Sequence, residues 1–222
     1  MMSKIAVILA GAGRSDGSEI QEAVLTLLAL DKRNVDVKVF APNIPQMHVI
    51  NHLTDEESPE SRNVMVESAR IFRGDIQDIK DANIDDFDAI VLPGGFGAAK
   101  NLCNYAVKGL DCEFNPDVEN FVVAGLKKNK PIGFICIWPV LGAFLTKKAN
   151  IKAKLTIGND KTTAGHIEQL GNEHVECKAS DCVVDEKNNI VSTPAYMLGQ
   201  SISEVSEGID KLVGEVVKLI MA

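Results

Sequence analysis

Short apolar runs alternate with longer amphipathic stretches along this chain of 222 residues, and that alternation limits its fold more than any single motif does. The runs at 5–10, 35–41, 89–92 and 132–135 are apolar almost throughout, as strands covered on both faces are. Residues 19–30, 117–128 and 140–147 instead space their apolar side chains as helices do. Strands of this kind separated by helices form a parallel sheet with helices on both faces. Near 177–192 the pattern changes to two β-rich pieces, 182–184 and 190–192, joined by the polar turn 185–189. They predict a hairpin at a sheet edge. Residues 202–221 place Val205, Ile209, Leu212, Val213, Val216 and Val217 along one face of a closing helix.

The chain reads as one α/β domain over 1–222, interrupted by an inserted loop at about 42–62. That loop carries Pro42, Pro45 and Pro59, the histidines His48 and His52, and the acidic run Asp55-Glu56-Glu57. It exceeds an ordinary βα connection, and loops of that length often serve function. A net charge of −8 argues against nucleic acid or an anionic membrane as partner. The five cysteines form no C-x-x-C pair, so neither a metal site nor a disulfide framework is expected, and a cytoplasmic setting follows. The first apolar run is too short for a signal core or a membrane span and reads as the first strand.

Cys136 ends the apolar run Pro131–Ile135 and is followed at once by Ile137-Trp138-Pro139 and a helical pattern. A thiol on a strand-to-helix turn is a candidate nucleophile, because the N–H groups opening the helix stabilise a thiolate and a developing oxyanion. The strand exit Leu92-Pro93-Gly94-Gly95-Phe96-Gly97 offers a backbone that approaches a substrate with no Cβ in the way. The N–H groups of Gly95 and Ile137 are therefore the candidate oxyanion hole. Glu19 and Glu22 lie three apart where the first helix opens, and parallel strands deliver all these turns to one rim. Glu19 reads as an electrostatic helix-start residue, and Glu22 as the functional carboxylate.

Two tempting motifs fail. Gly11-Ala12-Gly13-Arg14-Ser15-Asp16-Gly17 has its third glycine one position late for a dinucleotide loop, and no acidic residue ends the second strand. No cofactor is expected. His166-Ile167-Glu168 lies in a helical stretch at 162–170, where residues two apart do not share a face, and reads as a solvated surface.

In order along the chain, Gly17–Val24, the stretch Val49-Ile50-Asn51-His52-Leu53-Thr54, Pro93–Leu102 and Thr193-Pro194-Ala195-Tyr196-Met197 resemble the ElbB family, also called enhancing-lycopene-biosynthesis or sigma cross-reacting proteins. That family falls within the PfpI/class I glutamine amidotransferase-like superfamily. The resemblance implies a flavodoxin-like three-layer sandwich, a homodimer, and a glutathione-independent glyoxalase that turns glyoxal or methylglyoxal into the hydroxy acid. It implies Cys136 as nucleophile with Glu22 beside it, and matches Glu19 to a second family glutamate. Gly94, Phe96, Asn101, Trp138, Tyr196 and His52 complete the pocket candidates. Two departures matter. Ile137 stands where related proteases have a histidine, and Trp138 where relatives have a small residue, so a narrowed pocket is expected. A thiol-based redox or regulatory protein and an amidohydrolase remain alternative classes. The isoprenoid link in the family's name has no visible residue basis.

Overall fold

The computed structural model describes residues 2–222. The chain runs β1 (Lys4–Ile8), α1 (Ile20–Asp31), β2 (Asp36–Ala41), β3 (Ile50–Asn51), β4 (Glu56–Glu57), α2 (Val64–Ile71), β5 (Ile76–Asp78) and β6 (Ala89–Leu92). It continues through α3 (Tyr105–Lys108), α4 (Pro116–Lys127), β7 (Ile132–Ile135), α5 (Trp138–Lys148), β8 (Lys154–Leu155) and α6 (Lys161–Gln169). Then follow β9 (Glu173–His174), β10 (Val183–Asp185), β11 (Ile190–Thr193) and α7 (Ile202–Ile220). Seven strands form the central sheet in the order β10-β11-β7-β6-β1-β2-β5. All neighbours are parallel except the edge pair β10–β11, so the hairpin stands where its polar turn placed it.

Period-two alternation divides the core into two apolar layers. Ile5 and Val7 of β1 point to the layer with α1 and α7, whereas Ala6 and Ile8 point to the layer with α4, α5 and α6. Val205, Ile209, Leu212, Val213 and Val216 of α7 are buried as their spacing predicts; Val217 packs at the edge of the same layer. This is the expected flavodoxin-like α/β sandwich. The segment 63–88 had no reading from its residues, yet supplies α2 and the edge strand β5, whose Ile76-Gln77-Asp78 is too short to carry a pattern.

Strand order reverses beside β1: the chain moves outward through β2 and β5, then returns to place β6 and β7 on the other side. Ligands of open α/β sheets bind at such a switch point, outside the carboxyl ends of the strands. The ends of β1, β6 and β7 deliver the glycine loop 11–17, Gly94-Gly95 and Cys136 to that rim.

The long insertion is ordered by short-range pairing. β3 and β4 form a small hairpin, and Val64 and Gln46 donate their N–H groups to Ile44 and Arg62, closing the base. Its tip docks on the glycine loop, where Ile50 N–H donates to Asp16 Oδ2 at 2.7 Å and Arg14 pairs with Asp55.

Trp138 corrects an expectation. It does not line the pocket: it is fully buried in the α4–α6 layer and stacks on Phe134, with ring centroids 6.2 Å apart, whereas Cys136 belongs to the α1–α7 layer. The turn into α5 separates the two side chains onto opposite faces of the sheet, so bulk at 138 fills core rather than narrowing the site. The indole Nε1–H has no hydrogen-bond partner there. Trp138→Phe should therefore hold stability within about 1 kcal/mol, since it removes an unsatisfied donor and keeps the stack. Trp138→Ala should cost about 3–5 kcal/mol by chemical denaturation, with a cavity left under β7.

Candidate active site

Cys136 sits immediately after β7 with φ +64°, a left-handed conformation that non-glycine residues seldom adopt. Its N–H donates to Thr193 O at 3.0 Å, which ties the elbow to the end of the neighbouring strand β11. This backbone is costly for an L-residue and is held by the packed strands around it. The turn aims the thiol at the rim. The N–H groups of Gly95 and Ile137 both hydrogen-bond to the sulfur, so the two donors expected to form an oxyanion hole converge on one atom. Cys136 itself is only 7% exposed.

Glu22 completes the arrangement. It lies in the first turn of α1 and is entirely buried. Its Oε2 accepts the Gly94 N–H and its Oε1 accepts the Tyr196 N–H, each at 3.1 Å, and it is hydrogen-bonded to the Cys136 thiol. With one backbone donor on each oxygen, the carboxyl also accepts the Cys136 S–H. Burial, reinforced by the charge of Glu19, pushes Glu22 up to about 8, although the Tyr196 and Gly94 N–H groups and Cys136 pull the other way. Burial first, and then the nearby Glu22, push the Cys136 thiol well above its usual range.

Glycine is required where the turn leaving β6 meets this pair. A Cβ on Gly94 would lie 2.3 Å from Cys136 Cβ and 2.6 Å from Glu22 Oε2. Gly95, at φ +103°, would drive a Cβ to 2.2 Å from Glu19 N and 2.4 Å from Gly17 O. The glycines after β1 and after β6 thus let two backbones meet.

The remaining candidates separate into those at the site and those that support it. Glu19 is the N-cap of α1, accepting the Glu22 N–H at 2.7 Å, and partial burial raises its carboxyl. Its helix-start reading holds, and the cap fixes the turn from which Glu22 projects. Tyr196 contributes its backbone N–H to Glu22, while its hydroxyl bonds Gln21, a residue given no role of its own in the sequence. Phe96 is half exposed just beyond Gly95.

Asn101 and His52 are not free to meet a ligand as pocket candidates would be. Asn101 is buried; its Nδ2 donates to Ala10 O and Asp16 O, and its Oδ1 accepts the Met47 N–H. His52 accepts the Ser15 N–H on Nε2 at 3.2 Å and has Nδ1 3.0 Å from Ile50 O, so Nδ1 carries the proton. Both residues pin the insertion and the π-helical turn Ala98–Leu102 to the glycine loop. His166 is another departure: it is half-buried on α6, 2.7 Å from Tyr105 OH, rather than part of a solvated face. Glu168 is exposed, and the two do not act as a pair on Cys136. Among the described residues no histidine hydrogen-bonds to Cys136, and no cluster of three metal-ligating side chains occurs.

No protein-family model matches the chain. It is 40% identical over 227 aligned residues to a human glutamine amidotransferase-like class 1 domain-containing protein 3, mitochondrial, covering 98% of this chain and 83% of that one. A zebrafish ES1 protein, mitochondrial, is 31% identical, covering 88% and 77%. A crystal structure of an isoprenoid biosynthesis protein with an amidotransferase-like domain from Ehrlichia chaffeensis superposes with TM-score 0.92 at 42% identity, covering 98% of this chain and 99% of that one. A DJ-1 variant from Schizosaccharomyces pombe shares the fold at TM-score 0.54 and 17% identity, covering 97% and 96%. The curated relatives correct the expectation of a cytoplasmic protein, because their names place them in mitochondria. Free cysteines report a compartment that does not oxidise thiols and cannot say which one.

Two outcomes follow from this geometry. Glu22 titrates higher in the folded chain than its ordinary 4.5, so the stability it confers is complete below that value and is lost as pH rises through about 8. Between those values wild type should lose stability relative to Glu22→Gln, a slope that urea titrations at several pH values measure. Gly94→Ala should displace Cys136 or Glu22, destabilising the fold by about 1–3 kcal/mol through overpacking. Thiol reactivity at Cys136 in that variant should change as well, read by the rate of alkylation.

Proposed function

We propose that this chain, which belongs to the ES1 family of glutamine amidotransferase-like class 1 domain proteins, is a glutathione-independent glyoxalase acting on glyoxal or methylglyoxal through Cys136. The observation that carries the reading is the buried hydrogen bond between Glu22 and Cys136, beneath two N–H donors aimed at the sulfur.

A carboxyl that titrates near 8 both gives up and takes back a proton around neutral pH, as a general acid–base must. In the reactive form the proton shared by the pair passes from the Cys136 sulfur to Glu22, which leaves Cys136 as the thiolate. Sulfur attacks the aldehyde carbon, its new bond replaces the C=O π bond, and the oxyanion is held by the N–H groups of Gly95 and Ile137. Glu22 gives that oxygen its proton, leaving a hemithioacetal. The carboxylate then removes the proton on the former aldehyde carbon and returns it to the adjacent one by way of an enediol. The product is a thioester of the 2-hydroxy acid. Water cleaves it to lactate or glycolate and restores the thiol. No electrons leave the substrate, because oxidation at one carbon balances reduction at the next, so the scheme calls for no cofactor.

The site favours small substrates on the same grounds. Cys136 is nearly enclosed and Glu22 wholly so, a setting that suits an aldehyde of two or three carbons. An amidohydrolase needs a base that also protonates a leaving amine, and every histidine engaged through its ring here serves another partner. The homodimer implied by the family resemblance belongs to this proposal; Ile20, Val24 and Leu28, one turn apart along α1 and each nearly half exposed, are apolar surface available to a second copy.

The test follows methylglyoxal loss and lactate formation without glutathione. Cys136→Ala should abolish turnover, and Glu22→Gln should lower kcat about 10²–10⁴-fold with a smaller change in KM, as removal of a proton-transfer group does. Full turnover by Cys136→Ala would overturn the covalent route, and ammonia release from glutamine would favour the amidohydrolase.

A further inference from the structure

A second pair of thiols lies away from Cys136, where residues 103–114 fold back on themselves. Cys103 and Phe114 form an antiparallel bridge; Asn104 N–H donates to Glu113 O at 3.1 Å, and Glu113 N–H donates to Asn104 Oδ1 at 2.8 Å. Asn115 N–H donates to Leu102 O, closing the loop from outside. Within this clasp the Cys103 and Cys112 thiols are neighbours, each acting on the other. Cys103 is buried and its S–H donates to Ala98 O at 3.4 Å, while Cys112 is half-buried and reaches solvent.

The two thiols differ as the members of an attacking and resolving pair do. The neighbouring Cys103 thiol lowers the Cys112 thiol against the effect of burial, and Lys148 adds to the lowering. Burial raises Cys103 and keeps it protonated. Neither residue contributes to the Glu22–Cys136 site.

We propose that Cys103 and Cys112 form a separate thiol modification site, at which a small hydroperoxide oxidises the pair to an intramolecular disulfide. The Cys112 thiolate attacks the outer peroxide oxygen; the O–O bond breaks, an S–O bond forms, and the departing alkoxide or hydroxide takes a proton. Cys103 sulfur then attacks the Cys112 sulfenic acid, forming the S–S bond and breaking S–O. The released hydroxide leaves as water with the Cys103 proton. Each sulfur loses one electron and the peroxide gains two. Because Leu102 precedes Cys103, the disulfide would adjoin the π-helical turn whose Asn101 holds the glycine loop.

The experiment uses the reduced full chain, one equivalent of hydrogen peroxide, alkylation of the remaining thiols, and peptide mapping without reductant. Wild type and Cys136→Ser should both lose the Cys103 and Cys112 thiols and yield one linked peptide pair, lighter by two hydrogens. Cys103→Ser should instead leave a Cys112 sulfenic acid that dimedone captures. Should that buried substitution prevent folding, Cys112→Ser serves in its place, and its Cys103 should stay reduced. Alkylation of both thiols after peroxide, or linkage of either to Cys177 or Cys182 as the main product, would overturn the proposal. A disulfide that forms only when Cys136 is present would do so too. These outcomes are independent of methylglyoxal turnover.

Discussion

A carboxyl group sealed from water beside a thiol is the constraint on which the rest of this structure depends. Glu22 is tolerated in the interior because two backbone N–H groups and the Cys136 thiol satisfy it, and because burial favours its proton over its charge. Each of these partners comes from a different element: Gly94 follows β6, Cys136 follows β7, and Tyr196 follows β11. A single side chain therefore joins three strand ends to the start of α1. The left-handed backbone at Cys136 and the lack of a Cβ at Gly94 are conditions for that convergence.

Outside this centre lies a layer that acts by position. Asp16, Asn101 and His52 have no direct role at the sulfur, yet they hold the glycine loop against the π-helical turn and the insertion. The loop in turn presents Gly17 O and Glu19 N against Gly95, leaving its N–H pointed at Cys136. Long insertions are often read as lids that close on substrate. Here the insertion's histidine, Asp16 and Arg14 make a latch between the two loops.

The sheet, its layers and its edge hairpin were legible in the sequence because continuous apolar runs and helical spacing report burial directly. The elbow at Cys136 was legible because a strand ended on a thiol and a helix began at once. Glu22 was separable from Glu19 only as a choice between two neighbours, and the distinction became physical once Glu19 was seen to cap the helix. What escaped was direction. Periodicity near a sharp turn does not say which layer a side chain enters, so Trp138 passed for a pocket residue while it packs on Phe134 in the opposite layer. Asn101 and His52 escaped for a related reason: polar side chains that satisfy buried backbone groups have the same composition as those that bind ligands. The Tyr196 N–H carries no signal in residue identity at all.

The chemistry proposed for this family member rests on a neutral Glu22 at neutral pH, since an ionised carboxylate beside the sulfur would suppress the thiolate it is meant to serve. Infrared difference spectroscopy across a pH titration, comparing wild type with Glu22→Gln, reads that proton directly. The account requires a protonated-carboxyl C=O band at neutral pH that fades as pH rises through about 8, is absent from Glu22→Gln, and shifts in Cys136→Ala when its hydrogen-bond partner is lost. A spectrum in which Glu22 is already a carboxylate below neutral pH, with no such band to lose, would contradict it.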